Sequence, residues 1–381
     1  MNVPKIRFKE FSDEWRKINL KDISIINPKN EQLPNEFIYI DLESVNKGIL
    51  SQEKIISKTD APSRAQRTVK KNDILFQMVR PYQQNNYFIK EIKEIPYVAS
   101  TGYALIRTSE DPYFIYSILH KKDFLDRVID RCTGTSFPAI NANDLGDINI
   151  NIPSIQEQNK VSSFLSLLDK KIELQTKKIE DLKLFKKGLF NNNIDNIKNI
   201  KLSDILTEVN IKSTINNQYE ILSSTANGLY LQKDYFNKQA ASENNTGYKI
   251  LKRNQLVLSP QNLWMGNINI NDKYDIGIVS PSYKIFDIDD NIINIDFFNN
   301  WIKSPRALYD YMISSEQGAS VVRRNLNIDL FNEIIIKVPE RNIQDKIGKQ
   351  IKNINMKIEL ENRKLDKLND LKKGLMQNMF V

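Results

Sequence analysis

Residues 152–190 read IPSIQEQNKVSSFLSLLDKKIELQTKKIEDLKLFKKGLF, and residues 338–376 read VPERNIQDKIGKQIKNINMKIELENRKLDKLNDLKKGLM. The second stretch begins 186 positions after the first, the two align without a gap, and 13 of the 39 pairs are identical. The best-matched segments are Lys171–Leu174 with Lys357–Leu360, and Lys186–Leu189 with Lys372–Leu375. So long a repeat in a chain of 381 residues predicts two half-molecules, each a globular unit followed by a helix.

Both stretches carry apolar residues at alternating steps of four and three, which is typical of a helix that buries one face. The stripes are Val161, Leu165, Leu168, Ile172, Ile179 and Leu182 in the first stretch, and Ile347, Ile351, Ile354, Ile358, Leu365 and Leu368 in the second. A polar residue lies at the middle of each stripe, Gln175 in the first and Glu361 in the second. We therefore predict two long helices that pair as an antiparallel coiled coil, with a Gln175–Glu361 contact that fixes the register. The alternative is that both helices are simply solvated.

The repeat also sets the expected domain boundaries. We predict a first globular domain at residues 1–152, a first helix at 153–192, a second globular domain at 193–338 and a second helix at 339–381. The expected fold class is α+β, in which two α/β domains are separated by the paired helices and the halves form a pseudo-two-fold internal repeat.

The globular parts are themselves distant copies. Leu20–Ile23 parallels Leu202–Ile205, and Lys70–Leu75 parallels Lys252–Val257. Short stretches rich in aromatic and β-branched residues alternate with helical ones such as 112–131 and 296–314.

Composition excludes several classes of protein. A single cysteine, Cys132, rules out a disulfide scaffold within the chain, and with a single histidine, His120, it argues against a zinc site of the Cys/His type. Residues 1–10 contain no apolar run typical of a signal peptide, so we expect a cytoplasmic protein without membrane contact. The net charge of +8 is concentrated in and around the two helices, so any acidic partner of the globular parts must bind local basic clusters.

Motifs for catalysis are lacking in this sequence. It contains no Gly-x-x-x-x-Gly-Lys-Ser/Thr loop and no Asn/Asp-Pro-Pro-Tyr/Phe motif of amino-methyltransferases, and Asn151–Ser154 only begins like the latter. One histidine leaves little scope for acid–base chemistry based on this residue. We expect a chain that is not an enzyme and binds no metal.

Four features in order carry a resemblance to a known family. They are the opening Val3–Phe8 with Phe11–Trp15, the Ile152–Gln158 junction into the first helix, the stretch Gly318–Leu326, and the Lys-Lys-Gly-Leu ending of both repeats. Over essentially its whole length the chain resembles the DNA-specificity (S) subunit of Type I restriction–modification systems. The second junction, Val338–Gln344, departs from this pattern because it lacks the acidic-glutamine pair of the first.

The resemblance implies a function for each part. Each globular unit is expected to be a target recognition domain that reads one half of a bipartite, asymmetric double-stranded DNA sequence. The helices are expected to set the spacing and to dock two methyltransferase subunits, which associate with restriction subunits. No cofactor is expected in this chain: S-adenosylmethionine belongs on the methyltransferase subunits, and ATP and Mg belong on the restriction subunits.

The type of side chain indicates which residues could contact DNA. Arg, Lys, Asn and Gln bind base edges, while Lys, Arg, Ser and Thr bind phosphates. In the first domain the candidates are a basic cluster, an amide-rich loop and two hydroxyls: Arg64, Arg67, Lys70, Lys71, Arg80, Gln83, Gln84, Asn85, Thr135 and Ser136. In the second domain they are Gln261, Asn262, Trp264, Ser320, Arg323, Arg324 and Asn325. The alternative for each of them is a solvated surface loop.

Two other functions fit the same sequence. A non-catalytic coiled-coil adaptor with protein-binding ends also accounts for the repeats, the helices and the near-neutral globular parts. An inactive or recombined specificity subunit accounts for the resemblance itself. DNA binding that weakens steeply with salt distinguishes the adaptor from a specificity subunit.

Overall fold

The computed structural model describes residues 2–29, 31–189, 197–235, 244–317 and 324–381. The chain divides into two compact units: unit 1 consists of Met1–Lys177 and Arg363–Val381, and unit 2 of Lys178–Asn362. Both boundaries, at residues 177/178 and 362/363, fall inside a long helix, so each long helix is divided between the two units. The four segments expected from the sequence therefore stay a prediction.

Unit 1 opens with short strands. They are β1 (Arg16–Asn19), β2 (Ser24–Ile26), β3 (Glu36–Ile40), β4 (Val45–Asn46), β5 (Ile49–Leu50), β6 (Lys54–Ser57), β7 (Ala65–Thr68), β8 (Ile74–Gln77), β9 (Tyr87–Phe88), β10 (Tyr97–Ser100), β11 (Tyr103–Thr108) and β12 (Asn149–Ile152). One sheet has the order β2-β11-β8-β9, and a second has the order β6-β3-β10-β7, in which β3 and β10 run parallel. All four residues of β8 and of β10 are buried, which fits their largely apolar sequences.

The helices of unit 1 are α1 (Pro112–Ile118), α2 (Lys122–Ile129), α3 (Ala142–Gly146) and the first part of α4 (Ile155–Gly188). The predicted helical region 112–131 is thus two helices. Asp111 caps α1 by accepting the Phe114 N–H at 2.7 Å, and Pro112 occupies the first turn. Trp15 and Phe114 lie in the main core of this unit together with Met379 and Phe380.

Unit 2 contains β13 (Lys198–Lys201), β14 (Leu206–Val209), β15 (Leu222–Thr225), β16 (Gly228–Leu231), β17 (Lys249–Lys252), β18 (Leu256–Leu258), β19 (Ile268–Ile270), β20 (Ile276–Val279), β21 (Lys284–Ile288), β22 (Ser315–Gln317), β23 (Arg324–Leu326) and β24 (Ile335–Val338). Its helices are α5 (Gln232–Tyr235), α6 (Ile295–Trp301), α7 (Pro305–Ile313), α8 (Ile328–Asn332), the end of α4 from Lys178 onward and the first part of α9 (Arg341–Asn378). The end of α9, from Arg363 onward, belongs to unit 1. The predicted region 296–314 is again two helices, because Ser304 and Pro305 start α7 anew. Trp301, 8% exposed, lies in the core of this unit.

The strand pairings repeat between the units. In unit 1, β1 pairs antiparallel with β12, and in unit 2, β13 pairs antiparallel with β24. The sheet β2-β11-β8-β9 corresponds to the sheet β14-β21-β18-β19. The antiparallel pair of β7 and β10 corresponds to that of β17 and β20. The internal repeat inferred from the helices therefore extends through both globular parts.

The two long helices pair antiparallel within each unit. In unit 1, Asp169 of α4 forms an ion pair of 2.6 Å with Lys372 of α9, and Val161 shares a core with Leu375. In unit 2, Lys178 of α4 lies 3.0 Å from Glu361 of α9, which is 3% exposed.

None of the helices in the described residues is both long and apolar enough to cross a membrane.

The predicted pairing positions share one property: all 14 are buried or half-buried. They are Val161, Leu165, Leu168, Ile172, Gln175, Ile179, Leu182, Ile347, Ile351, Ile354, Ile358, Glu361, Leu365 and Leu368. The solvated alternative is therefore wrong for this face. Gln175 belongs to unit 1 and Glu361 to unit 2, and their direct contact stays a prediction.

Candidate DNA interface

In unit 1 the amide-rich loop follows β8 and has a strained backbone. Arg80 and Gln84 have φ angles of 54° and 52°, in the left-handed region that residues with a side chain rarely adopt. Between them, Pro81–Gln83 form a single 3-10 turn. Strain of this kind persists only where the surroundings fix the backbone.

Gln77, only 1% exposed, supplies much of that fixation. Its amide donates to the Val79 carbonyl and to Oε1 of Gln83, both at 2.8 Å, and its Oε1 accepts the Asn85 N–H at 3.1 Å. Asn86 in turn accepts the Gln77 N–H at 2.8 Å. The Gln77 amide is thus fully used and fixes the loop in one conformation, whereas the buried Nδ2 of Asn86 has no hydrogen-bond partner in the described part of the chain.

Three of the residues predicted to contact DNA bases also form hydrogen bonds within the protein. Gln83 accepts from Gln77, Asn85 accepts the Lys47 N–H at 3.0 Å, and Gln84 donates to the His120 carbonyl at 3.4 Å. Part of the hydrogen-bonding capacity of these amides therefore shapes the loop itself.

A second loop, residues 133–139, meets the first. Thr133 and Ala139 exchange two backbone hydrogen bonds of 2.9 and 3.0 Å, and the Arg80 N–H donates to the Pro138 carbonyl at 2.8 Å. Thr135 and Ser136 are exposed in this second loop. The structure thus brings the candidates Arg80, Thr135 and Ser136 together from positions more than 50 residues apart.

The basic cluster of unit 1 lies on β7 and the turn that follows it. Arg64 and Lys71 are exposed, whereas Arg67 is half-buried and burial lowers its pKa. Lys70 forms an ion pair of 2.6 Å with Glu31, both partners being more than half exposed. Because an exposed pair of this kind is weak, Lys70 can exchange this partner for a phosphate.

In unit 2 the corresponding loops also meet. The Arg324 N–H donates to the Gln261 carbonyl at 3.3 Å, and the Arg324 guanidinium donates to the Ser315 carbonyl at 2.9 Å. Gln261 and Asn325 are exposed, while Asn262 and Trp264 are half-buried around the 3-10 turn Leu263–Met265. The candidates Ser320 and Arg323 lie outside the described residues.

A cleft of about 980 Å³ in unit 1 adds residues that the sequence did not single out. Tyr82, Gln83 and Gln84 line it, together with five lysines: Lys47, Lys121, Lys122, Lys372 and Lys373. Four of these lysines occur in adjacent pairs, Lys121–Lys122 and Lys372–Lys373, which is usual on a solvated helix, and Lys47 has no such signal in the sequence. His120, expected at the surface, is half-buried in this cleft, and burial lowers its pKa to about 4.

Lys303 was also missed, and it shapes the loops of unit 2. Its ammonium donates to the Gly266 carbonyl at 2.6 Å and to the Ala226 carbonyl at 3.1 Å. Burial lowers the pKa of Lys303 to about 8. Lys303 therefore ties the turn after Leu263–Met265 to the hairpin of β15 and β16.

Within the described ranges, no group of three or more His, Cys, Asp or Glu side chains is arranged to hold a metal ion.

Comparison with known proteins bears on these loops. Residues 12–184 match the family described as the Type I restriction modification DNA specificity domain. This part of the chain is therefore similar to a Type I DNA specificity domain. The matched part includes all the candidate residues of unit 1, from Arg64 to Ser136, and most of α4.

A curated protein with a similar sequence is also a specificity subunit. The specificity subunit of the Type I restriction enzyme HindI from Haemophilus influenzae is 26% identical over 189 residues, which is 46% of this chain and 40% of the relative. The aligned region thus spans less than half the length of this relative.

Solved structures share the fold of the chain over nearly its whole length. The Type I restriction-modification S subunit from M. genitalium has a TM-score of 0.61 at 16% identity, covering 100% of this chain and 99% of that one. A chain from a structure of a type I R-M system, described for its complex assembly and conformational transition, has a TM-score of 0.52 at 15% identity and covers 96% and 97%. At these identities the likeness establishes the fold alone.

Proposed function

We propose that this chain is the DNA-recognition subunit of a Type I restriction–modification complex, in which each unit reads one half of a bipartite target. The observation that carries the proposal is the recurrence of one loop arrangement. In each unit the loop after a central strand, β8 or β18, is hydrogen-bonded to a second segment, which is the loop 133–139 in unit 1 and the start of β23 in unit 2. Both pairs of loops carry side chains of the types that contact DNA.

The two loop pairs differ in sequence, so the two half-sites differ. Unit 1 presents Arg80, Thr135 and Ser136, whereas unit 2 presents Gln261, Arg324 and Asn325. Base specificity depends on the individual donors and acceptors at the base edges. A target recognised by both units is therefore bipartite and asymmetric.

The long helices are proposed to set the distance between the two half-sites and to bind the methyltransferase subunits. The first part of α4 exposes Phe164, Leu167 and Leu174, and Leu167 is 68% exposed. Exposed apolar residues along one helix mark a surface for another protein. We assign this surface to methyltransferase subunits, two in each complex, which in turn associate with restriction subunits.

We assign the chemistry to those partners. This chain has one histidine and lacks the sequence motifs of nucleotide binding and adenine methylation. In the proposed complex, S-adenosylmethionine is bound by the methyltransferase subunits, and ATP and Mg by the restriction subunits. The chain itself acts by binding and needs no cofactor.

The test is to co-express the chain with the methyltransferase of its own system and to map methylated adenines on a plasmid library. The proposal predicts one split, asymmetric motif with a fixed gap. Exchanging residues 201–338 for those of a related subunit is expected to change one half of the motif only. A well-formed complex that binds DNA without sequence preference, or does not methylate it, would instead support the adaptor or the inactive copy.

A further inference from the structure

An exposed aromatic ring with a cation on its face lies where the two loops of unit 1 meet. Phe137 is 59% exposed, and the Arg80 guanidinium lies 4.3 Å from the centre of its ring. Tyr82, on the neighbouring turn, is 53% exposed. Exposing apolar surface to water costs about 25 cal/mol per Å². One exposed phenylalanine is ordinary, but two exposed rings on adjoining loops, one of them with a cation on its face, form a patch of the kind that marks a binding surface.

The backbone around Phe137 is fixed. Thr133 and Ala139 close the loop with two hydrogen bonds, and the Arg80 N–H holds the Pro138 carbonyl. Gly134 has a φ of 89°, and a side chain at this position would come within 3.2 Å of the Phe137 carbonyl oxygen. The ring is therefore presented by a preorganised loop, which lowers the entropy that binding would cost.

The charge of the surroundings indicates the partner. Residues 80–86 and 131–139 contain Arg80 and Arg131 and no acidic residue. The adjoining cleft, beside Tyr82, is lined by five lysines and two aspartates, Asp123 and Asp169, so its net charge is also positive. An exposed aromatic ring with a cation on its face, in positively charged surroundings, matches a polyanion that also offers apolar groups, as duplex DNA does with the thymine methyl groups at its base edges.

We propose that Phe137 makes an apolar contact with the bases of the first half-site, with Arg80 as the accompanying cation. This inference rests on the proposed function and deepens it. In the repeat, Gly134–Ser136 aligns with Gly318–Ser320, so the position of Phe137 is taken by Val321 in the second half. The ring contact therefore belongs to one half-site only.

The experiment uses the co-purified complex of the chain with its methyltransferase and duplex DNA carrying the mapped target. Binding is measured for the wild type, Phe137→Ala and a control, Ile25→Ala, which removes a side chain that is 62% exposed on β2 of the same unit. Each protein is titrated with the target, with DNA whose first half is scrambled, and with DNA whose second half is scrambled.

Phe137→Ala is expected to weaken binding to the intact target roughly tenfold, which is the order of discrimination that one base-pair contact supplies in a protein–DNA complex. The preference for the intact first half falls by a similar factor, while the preference for the intact second half is unchanged. The salt dependence stays that of the wild type, because the phosphate contacts remain. The control binds within about twofold of the wild type.

Two results overturn the inference and leave the proposed function standing. One is a Phe137→Ala complex that binds the target as the wild type does, with the same discrimination at the first half. The other is a variant that no longer assembles with the methyltransferase although its melting temperature is unchanged, which would make Phe137 a protein contact. A wild-type complex without sequence-specific binding overturns both the inference and the proposed function.

Discussion

Gln158 and Gln344 lie 186 positions apart and make the same two hydrogen bonds, each in its own unit. Gln158 donates to the Pro153 carbonyl at 3.0 Å and accepts the Asp111 N–H at 3.2 Å. Gln344 donates to the Pro339 carbonyl at 2.9 Å and accepts the Asn294 N–H at 2.8 Å. Both glutamines are almost fully buried. Each therefore joins the start of a long helix to the start of a short helix of its domain.

The sequence identified this pair only as one of 13 matches. Ser154 and Glu157 also have the sequence spacing of a capping box, of which the structure contains half. The Glu157 N–H donates to the Ser154 hydroxyl at 3.4 Å, but the Glu157 carboxylate binds Arg7 at 2.8 Å. A partner 150 residues away takes this side chain, and no local rule shows that contact.

Replacing Gln344 with Met keeps the length of the side chain and removes these two hydrogen bonds together with a longer one, of 3.5 Å, to the Ile292 carbonyl. The Asn294 N–H and the Pro339 carbonyl then lose their partner in a buried place, so we expect the free energy of unfolding to fall by about 2 kcal/mol. Denaturant titration measures this change. The matched control is Gln350→Met on the exposed face of the same helix, and an equal effect of both variants would contradict the role of Gln344.

His120 makes stability depend on pH. Its pKa is lowered by burial from 6.5 to about 4 in the folded chain. As pH falls below 6.5 the unfolded chain takes up a proton that the folded chain refuses, so stability present at neutral pH is lost between about pH 6.5 and 4. The full loss is on the order of 3 kcal/mol.

His120→Asn is therefore expected to flatten the decline in stability between pH 6.5 and 4. Because the sequence has no other histidine, the difference between the two curves isolates this imidazole. Denaturation midpoints at pH 7, 6 and 5 measure it. Parallel curves for the variant and the wild type would show that His120 does not titrate differently on folding.

At the scale of elements, the heptad periodicity predicted the two long helices and the face that each of them buries. It did not predict which parts of the protein pack against that face. A heptad stripe reports that a face is apolar, not which surface it meets. Val161 and Leu165 pack into the core of unit 1, and Ile347 and Ile351 into that of unit 2. The first turns of each stripe thus bind a domain as well as a helix.

A charge at Leu165 should disrupt that packing. Leu165 is 1% exposed in the core of unit 1, so Leu165→Asp buries an unpaired carboxylate and leaves a cavity. We expect a loss of at least about 3 kcal/mol in the free energy of unfolding. Thermal unfolding of the purified chain tests this, and a change below about 1 kcal/mol would show that the stripe does not pack as described.

Two positions further along α4, the same substitution tests docking instead. Leu167 is exposed, so Leu167→Asp is expected to change the melting temperature little, since surface substitutions usually alter stability by less than about 0.5 kcal/mol. The variant should no longer co-purify with the methyltransferase. A folded variant that still assembles fully would move the docking surface elsewhere.

At the scale of the molecule, the repeat predicted two related halves because one sequence pattern specifies one topology twice. The strand order within each half was not predictable, since short strands such as β4 and β9 carry no periodic signal. The loop that meets Arg80 was not predictable either, because β-sheet register brings together residues that are remote in sequence. The grouping of the candidates was thus not predictable from the sequence, and their contacts with DNA stay a prediction.

If the helices set the spacing, lengthening both should lengthen the unread gap. Inserting one heptad after Gln175 and one after Glu361 keeps the stripe in phase and adds about 10 Å to each helix. This length corresponds to about three base pairs of 3.4 Å. Methylation mapping is expected to show the same two half-sites with a longer gap, whereas an altered half-site would contradict a pure spacer.

The composition of unit 1 has a consequence for synthesis on the ribosome. Met379 and Phe380 belong to its core, where the Phe380 ring lies 5.2 Å from that of Phe114 and 6.2 Å from that of Trp15. All of unit 2, residues 178–362, is translated before them. At about 5–20 residues per second, the nascent unit 1 waits on the order of 10–40 s with Trp15 and Phe114 incompletely covered. During that interval the exposed core surface of unit 1 is open to aggregation, and unit 2, being contiguous, can close first.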